Sequence, residues 1–240
     1  MFDRLLGFRN VHRKIEEKII QFAFLPSKYF EALYVECSTG IHCHTLNIIE
    51  MEEKNLRDEL LDLMKEGEVD TRIELEKFKL FERLHAVNSK MEGIRLVINE
   101  FSCELPKDRH KELMTLLKGT SKVGKKMHQG VKALYENFDQ AFVEIENLNN
   151  HSKEIIQNIS RFKYYNNNSR ADWNPESPVE KVGTSLRAIL QEMIMVGEKI
   201  VEMIKILSFN HKQTPKDGSS HQLKSTEEEE TKNSLQEPKD

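Results

Sequence analysis

Apolar residues recur along this chain at steps of three and four, with charged residues between them. That is the period of an amphipathic helix, which buries one stripe and leaves the rest in water. The spacing predicts six helical segments. The first spans about 11–37, and Pro26 should kink or split it, because proline lacks the N–H that a helix interior uses. "CSTG" (37–40) breaks the pattern, and Ser38 or Thr39 can cap the second helix. That second segment spans about 41–66, ends at Gly67, and carries the stripe Ile49, Leu56, Leu60 and Leu63, with Glu53 between them. Asp70 caps the third, about 71–101. Its stripe is Leu80, Leu84, Val87, Met91, Ile94 and Ile98, alternating four and three as in a bundle seam.

"SCELPKD" (102–108) reads as a loop. The fourth segment, about 108–137, places Met114, Leu117, Val131, Leu134 and Phe138 on one face, and Gly119, Gly124 and Gly130 weaken it. The fifth, about 139–165, uses Leu148, Ile155, Ile159 and Phe162. After the loop "YYNNNSRADWNPESP" (164–178), the sixth spans about 178–209 with Leu186, Met193, Val196, Ile200, Met203 and Leu207. The expected fold class is all-α. Residues 1–210 should form a helical bundle with halves at about 11–105 and 106–210. The stretch 211–240, from His211, has almost no apolar residues to repay its ordering entropy and reads as a disordered polar tail.

Composition supports long helices. Of 240 residues only 10 are Gly and 6 Pro, while 38% are hydrophobic and 32% charged. The net charge of −4 offers no basic face, so no nucleic-acid partner is expected. Three Cys without framework spacing point to reduced thiols and a cytoplasmic protein. The opening residues are charged throughout and lack the apolar core of a signal peptide. Uninterrupted apolar runs are only a few residues long, against the roughly 20 that span a bilayer. Direct membrane insertion is therefore not expected, and docking on a membrane protein at the inner face remains open.

The chain also reads as two related halves of three helices. "IEMEEKNLRDEL" (49–60) lies against "LNNHSKEIIQNI" (148–159), matching Ile49 to Leu148, Leu56 to Ile155 and Leu60 to Ile159. Glu50 then matches Asn149, and Lys54 matches Lys153. "LFERLHAVNSKMEGI" (80–94) aligned with "LQEMIMVGEKIVEMI" (190–204) sets Glu82 against Glu192, Asn88 against Glu198 and Glu92 against Glu202.

In this order of segments, with "LPSKYFEAL" (25–33) on the leading helix, residues 11–209 resemble the PhoU-like proteins. The branch they resemble is that of phosphate-transport regulators associated with Pit-type phosphate permeases. The resemblance implies an elongated bundle of two packed three-helix units. It also implies carboxylate pairs four residues apart on the helices of each half, which in that group bind divalent metals. Residues four apart share a helix face, so two such helices present several oxygens to one ion.

This chain departs from that pattern. Helix two carries Glu50 and Lys54, helix five Asn149 and Lys153, and helix three Asn88 and Glu92. Only helix six keeps a pair, Glu198 and Glu202, with Glu192 nearby; these three are the metal ligands the resemblance implies. Glu50 and Glu92 read as the remnant of a second site, with Lys54 neutralising Glu50 or Glu92 in place of an ion. A plainer reading competes, because Glu and Lys are good helix formers and seam flanks are commonly charged. No cofactor is expected beyond a weakly held divalent ion at Glu192, Glu198 and Glu202.

Other motifs carry less. His42 and His44 in "GIHCHTL" fall on different helix faces, and Cys37 and Cys43 lack CxxC spacing. His85 beside the seam reads as a packing or hydrogen-bonding residue. "LLKGTSKVGKK" (116–126) lacks the P-loop pattern and a preceding strand, and reads as a solvated, locally weak helix. No nucleophile–base set is visible, so an enzyme is not expected. The resemblance implies a non-enzymatic regulator or accessory of inorganic phosphate transport that contacts a Pit-type permease from the cytosolic side. The alternatives are a helical scaffold unrelated to phosphate and a metal-binding bundle. Homo-oligomerisation is compatible with either.

Overall fold

A computed structural model of the chain describes residues 2–66, 72–99, 107–164 and 178–213. These form an all-α bundle of six helices: α1 (Phe2–Thr39), α2 (His44–Glu66), α3 (Arg72–Asn99), α4 (Lys107–Glu136), α5 (Phe138–Tyr164) and α6 (Pro178–Gln213). The expected caps at Gly67 and Asp70, most of both long loops, and the tail beyond Gln213 lie outside the described residues. Among the described residues no helix is long and apolar enough to cross a membrane.

The seams fall largely where the periodicity puts them. All six stripe residues of α3 are buried, as are Leu148, Ile155, Ile159 and Phe162 of α5. On α2 the stripe ends on Met64, with Leu63 half-buried beside it, and Met114, Phe138 and Leu207 are also only half-buried.

Three local expectations are corrected. Pro26 does not split α1, which continues through it. Ser38 and Thr39 do not cap α2: both hydroxyls donate back to the Val35 carbonyl within α1. Gly40, at φ 69°, closes α1 in the left-handed region that favours glycine. Residues 116–126 are not a solvated stretch, since Leu116, Leu117, Thr120, Ser121, Val123 and Gly124 are buried. One of the glycines expected to weaken α4, Gly124, lies where α1 backbone comes close. A Cβ at Gly124 would stand 2.9 Å from the Ser27 nitrogen and 3.3 Å from the Pro26 carbonyl carbon. Beside it the Ser121 hydroxyl donates to the Ser27 carbonyl at 3.1 Å.

Burial repeats between the halves. On α1 and α4, Ile15 and Leu113, Ile19 and Leu117, Leu25 and Val123, and Leu33 and Val131 are buried in parallel. In this register Pro26 is the counterpart of Gly124, so the two inner helices cross at equivalent points. α3 and α6 pack on one another in the same counterpart fashion. Their burial matches Leu84 to Met193, Val87 to Val196, Met91 to Ile200 and Ile94 to Met203. That is one residue away from the frame that set Glu82 against Glu192. In this register Asn88 stands against Gly197 and Glu92 against Val201, so the acidic positions matched in sequence between α3 and α6 do not coincide in packing.

Candidate functional site

The halves differ where α2 meets α3. α5 and α6 pack along their length, whereas α2 and α3 touch only briefly. Gly197 lets α6 close on α5, since a Cβ there would lie 2.9 Å from Leu148 Cδ2. In the burial register the counterpart of Gly197 is Asn88, and the counterpart of Leu148 is Ile49. Between Ile49 and Asn88 lies a cavity of about 340 Å³.

One turn beyond its Met91 and Glu92 lining, Arg95 of α3 ties the three helices together. The guanidinium reaches Glu36 of α1 at 3.3 and 3.4 Å, Asn47 of α2 at 2.7 Å and Glu50 at 3.4 Å. His42, on the α1–α2 turn, lies 3.3 Å from the same group. Glu36 also accepts the Cys43 N–H at 2.6 Å and so caps α2 in place of a serine or threonine. Burial alone would raise the Glu36 pKa; the Cys43 N–H and Arg95 outweigh it and hold the carboxyl below its ordinary value. Arg95 is likewise pushed down by burial and raised, on balance, by Glu36 and Glu50.

Leu25 and Tyr29 of α1 line the cavity, with Glu50, Glu53, Lys54 and Arg57 on the α2 wall. On the α3 wall are His85, Asn88, Ser89, Met91 and Glu92. His85 stacks on Phe81, with ring centroids 6.3 Å apart and planes 14° apart, and its Nδ1 lies 3.3 Å from Glu53. Tyr29 and Asn88 are 1% and 5% exposed. The Tyr29 hydroxyl and both polar atoms of the Asn88 amide have no hydrogen-bond partner among the described residues. Burial, reinforced by Glu50, pushes the Tyr29 phenol well above its ordinary range, so it stays protonated at neutral pH.

Glu50, Lys54 and Glu92 thus share one cavity, but Lys54 does not neutralise either carboxylate. Glu50 pairs with Arg95, and Lys54 lies exposed at the rim. Arg95 reaches Glu50 across the gap, whereas a side chain four positions along α2 points to the solvent edge. The three α6 carboxylates are not brought together. Glu192 pairs with Lys90 at 2.6 Å, Glu202 with Lys199 at 2.9 Å, and Glu198 is exposed. Among the described residues no three His, Cys, Asp or Glu side chains are grouped as ligands for one ion. Lys199 instead binds Glu76 within the α3–α6 interface. Sequence reading missed Glu36, Arg95 and Lys199. Their signal was position: Arg95 sits four after Met91 and three before Ile98, on the seam itself.

No family model, curated protein or solved structure matches this chain.

Proposed function

We propose that this chain is a non-enzymatic accessory of inorganic phosphate transport, acting by contact with a Pit-type permease at the cytosolic face of the membrane. The observation that carries the reading is the architecture: two three-helix halves with one burial pattern, crossing at Pro26 and Gly124. This is the arrangement implied by the PhoU-like resemblance of residues 11–209. A surface suited to a protein partner accompanies it. Val35 of α1 and Ile48 of α2 flank a groove and are 45% and 62% exposed, with Met51 one turn further along α2.

The test is phosphate uptake in cells lacking this chain, complemented by wild type or by Ile48→Glu/Met51→Glu. Both positions are exposed, so the double variant should fold. Loss of regulated uptake together with loss of permease co-purification supports the reading. Uptake that is unaffected by deleting the whole chain sinks it.

A further inference from the structure

The cavity between α2 and α3 is lined by Tyr29 and Asn88, whose buried polar atoms have no partner among the described residues. In the burial register Tyr29 corresponds to Met127, Glu36 to Leu134, Asn88 to Gly197 and Arg95 to Ile204. The bundle therefore accommodates small or apolar residues at every one of these positions. In the second half Gly197 lets α5 close onto α6. Placing a buried phenol and a buried amide there without partners costs folding free energy. What sets Tyr29 and Asn88 apart from other unpartnered buried groups of the bundle, such as Tyr135 and Ser152, is that both line a cavity with room for a ligand.

The charges indicate what kind of molecule would satisfy these groups. Glu50 and Glu53 are engaged by Arg95 and His85. At the rim, Lys54 and Glu92 are exposed and have no ion-pair partner in the described structure, and Arg57 holds only a long 3.4 Å contact with Asp58. The free charge is thus of both signs on facing helices: cationic on α2, anionic on α3. Three carboxylates in the lining oppose a simple anion, and Lys54 with Arg57 oppose a bare cation. Leu25, Ile49 and Met91 supply an apolar wall between them. The volume falls at the small end of the range for small-molecule sites.

We propose that this cavity binds a small zwitterion of the free α-amino acid class. Its carboxylate is held by Lys54 and Arg57 and its ammonium by Glu92. Asn88 and Tyr29 read the polar groups that reach the floor, and the apolar wall receives the side chain. This inference does not depend on the transport role, because it concerns the isolated chain.

The experiment is isothermal titration of the full chain with individual free L-amino acids, with inorganic phosphate and Mn²⁺ as competing probes. One or a few amino acids should bind and raise the thermal midpoint, while phosphate and Mn²⁺ should not. Tyr29→Phe and Asn88→Ala should weaken binding at least about tenfold, the loss of one or two buried hydrogen bonds. Both variants should fold at least as stably as wild type, since each deletes an unsatisfied polar group. Lys54→Met provides a rim variant that leaves the core untouched and should lower affinity similarly. Binding of phosphate or Mn²⁺ alone overturns the proposal. So does the absence of any amino-acid binding, or binding that survives unchanged in all three variants.

Discussion

Gly124→Ala sets two well-known effects against each other, and the structure decides between them. In a helix interior alanine is favoured over glycine by about 1 kcal/mol. At Gly124 the added methyl would stand 2.9 Å from the Ser27 nitrogen, 3.1 Å from its Cα and 3.3 Å from the Pro26 carbonyl carbon. All three are backbone atoms, so no side chain can rotate away and α1 must move off α4. Overpacking of this kind costs about 1–3 kcal/mol. The shift also strains the hydrogen bond from Ser121 to the Ser27 carbonyl, itself worth about 0.5–1.5 kcal/mol. The net effect should be a loss of roughly 1–3 kcal/mol. Gly93 of α3 is the control: it is exposed, helical, and a Cβ there meets nothing within 4 Å. Gly93→Ala should therefore gain up to about 1 kcal/mol. Urea unfolding followed by helical circular dichroism measures both, at constant m-value. If Gly124→Ala is as stabilising as Gly93→Ala, the close crossing of α1 and α4 is wrong.

Leu84 is fully buried in the α3 seam, so Leu84→Ala should cost roughly 2–5 kcal/mol; a cost near zero in the same urea assay would place the stripe elsewhere. Burial would raise the Glu76 pKa, but Lys199 and Lys79 overcome it, so the folded value lies below the ordinary one. Glu76, like Glu36, then contributes stability that is present above about pH 4.5 and is lost as pH falls through the folded value. Urea midpoints taken between neutrality and pH 3 should fall in this window, and less steeply for Glu76→Gln; identical slopes would remove Glu76 from the account. Burial, with Glu36 adjacent, pushes the Cys37 thiol up to about 12. Mass spectrometry of alkylated peptides should show it labelling far more slowly in the native chain than in denaturant. Because Glu192 and Glu202 each face a lysine, elemental analysis of the purified chain should find no stoichiometric divalent ion that Glu198→Gln/Glu202→Gln removes.

The sequence alone determined the all-α class, the number and approximate limits of the helices, and most of their buried stripes. Leu80 through Ile98 could be read from spacing because helical burial is a local, periodic property of neighbouring turns. It also brought Glu50, Lys54 and Glu92 to notice beside the seam. What each of them does was decided in three dimensions. Glu50 is held by Arg95 from another helix, and Glu36 caps α2 from the end of α1. Both arrangements depend on the distance between helices, which no single helix encodes. The same holds for Gly124 of α4, which looks like a weak point in isolation and becomes a site of close backbone approach once α1 lies against it. The cavity itself arises from one such distance: Gly197 closes α5 onto α6, and Asn88 occupies the equivalent position where α2 and α3 stand apart.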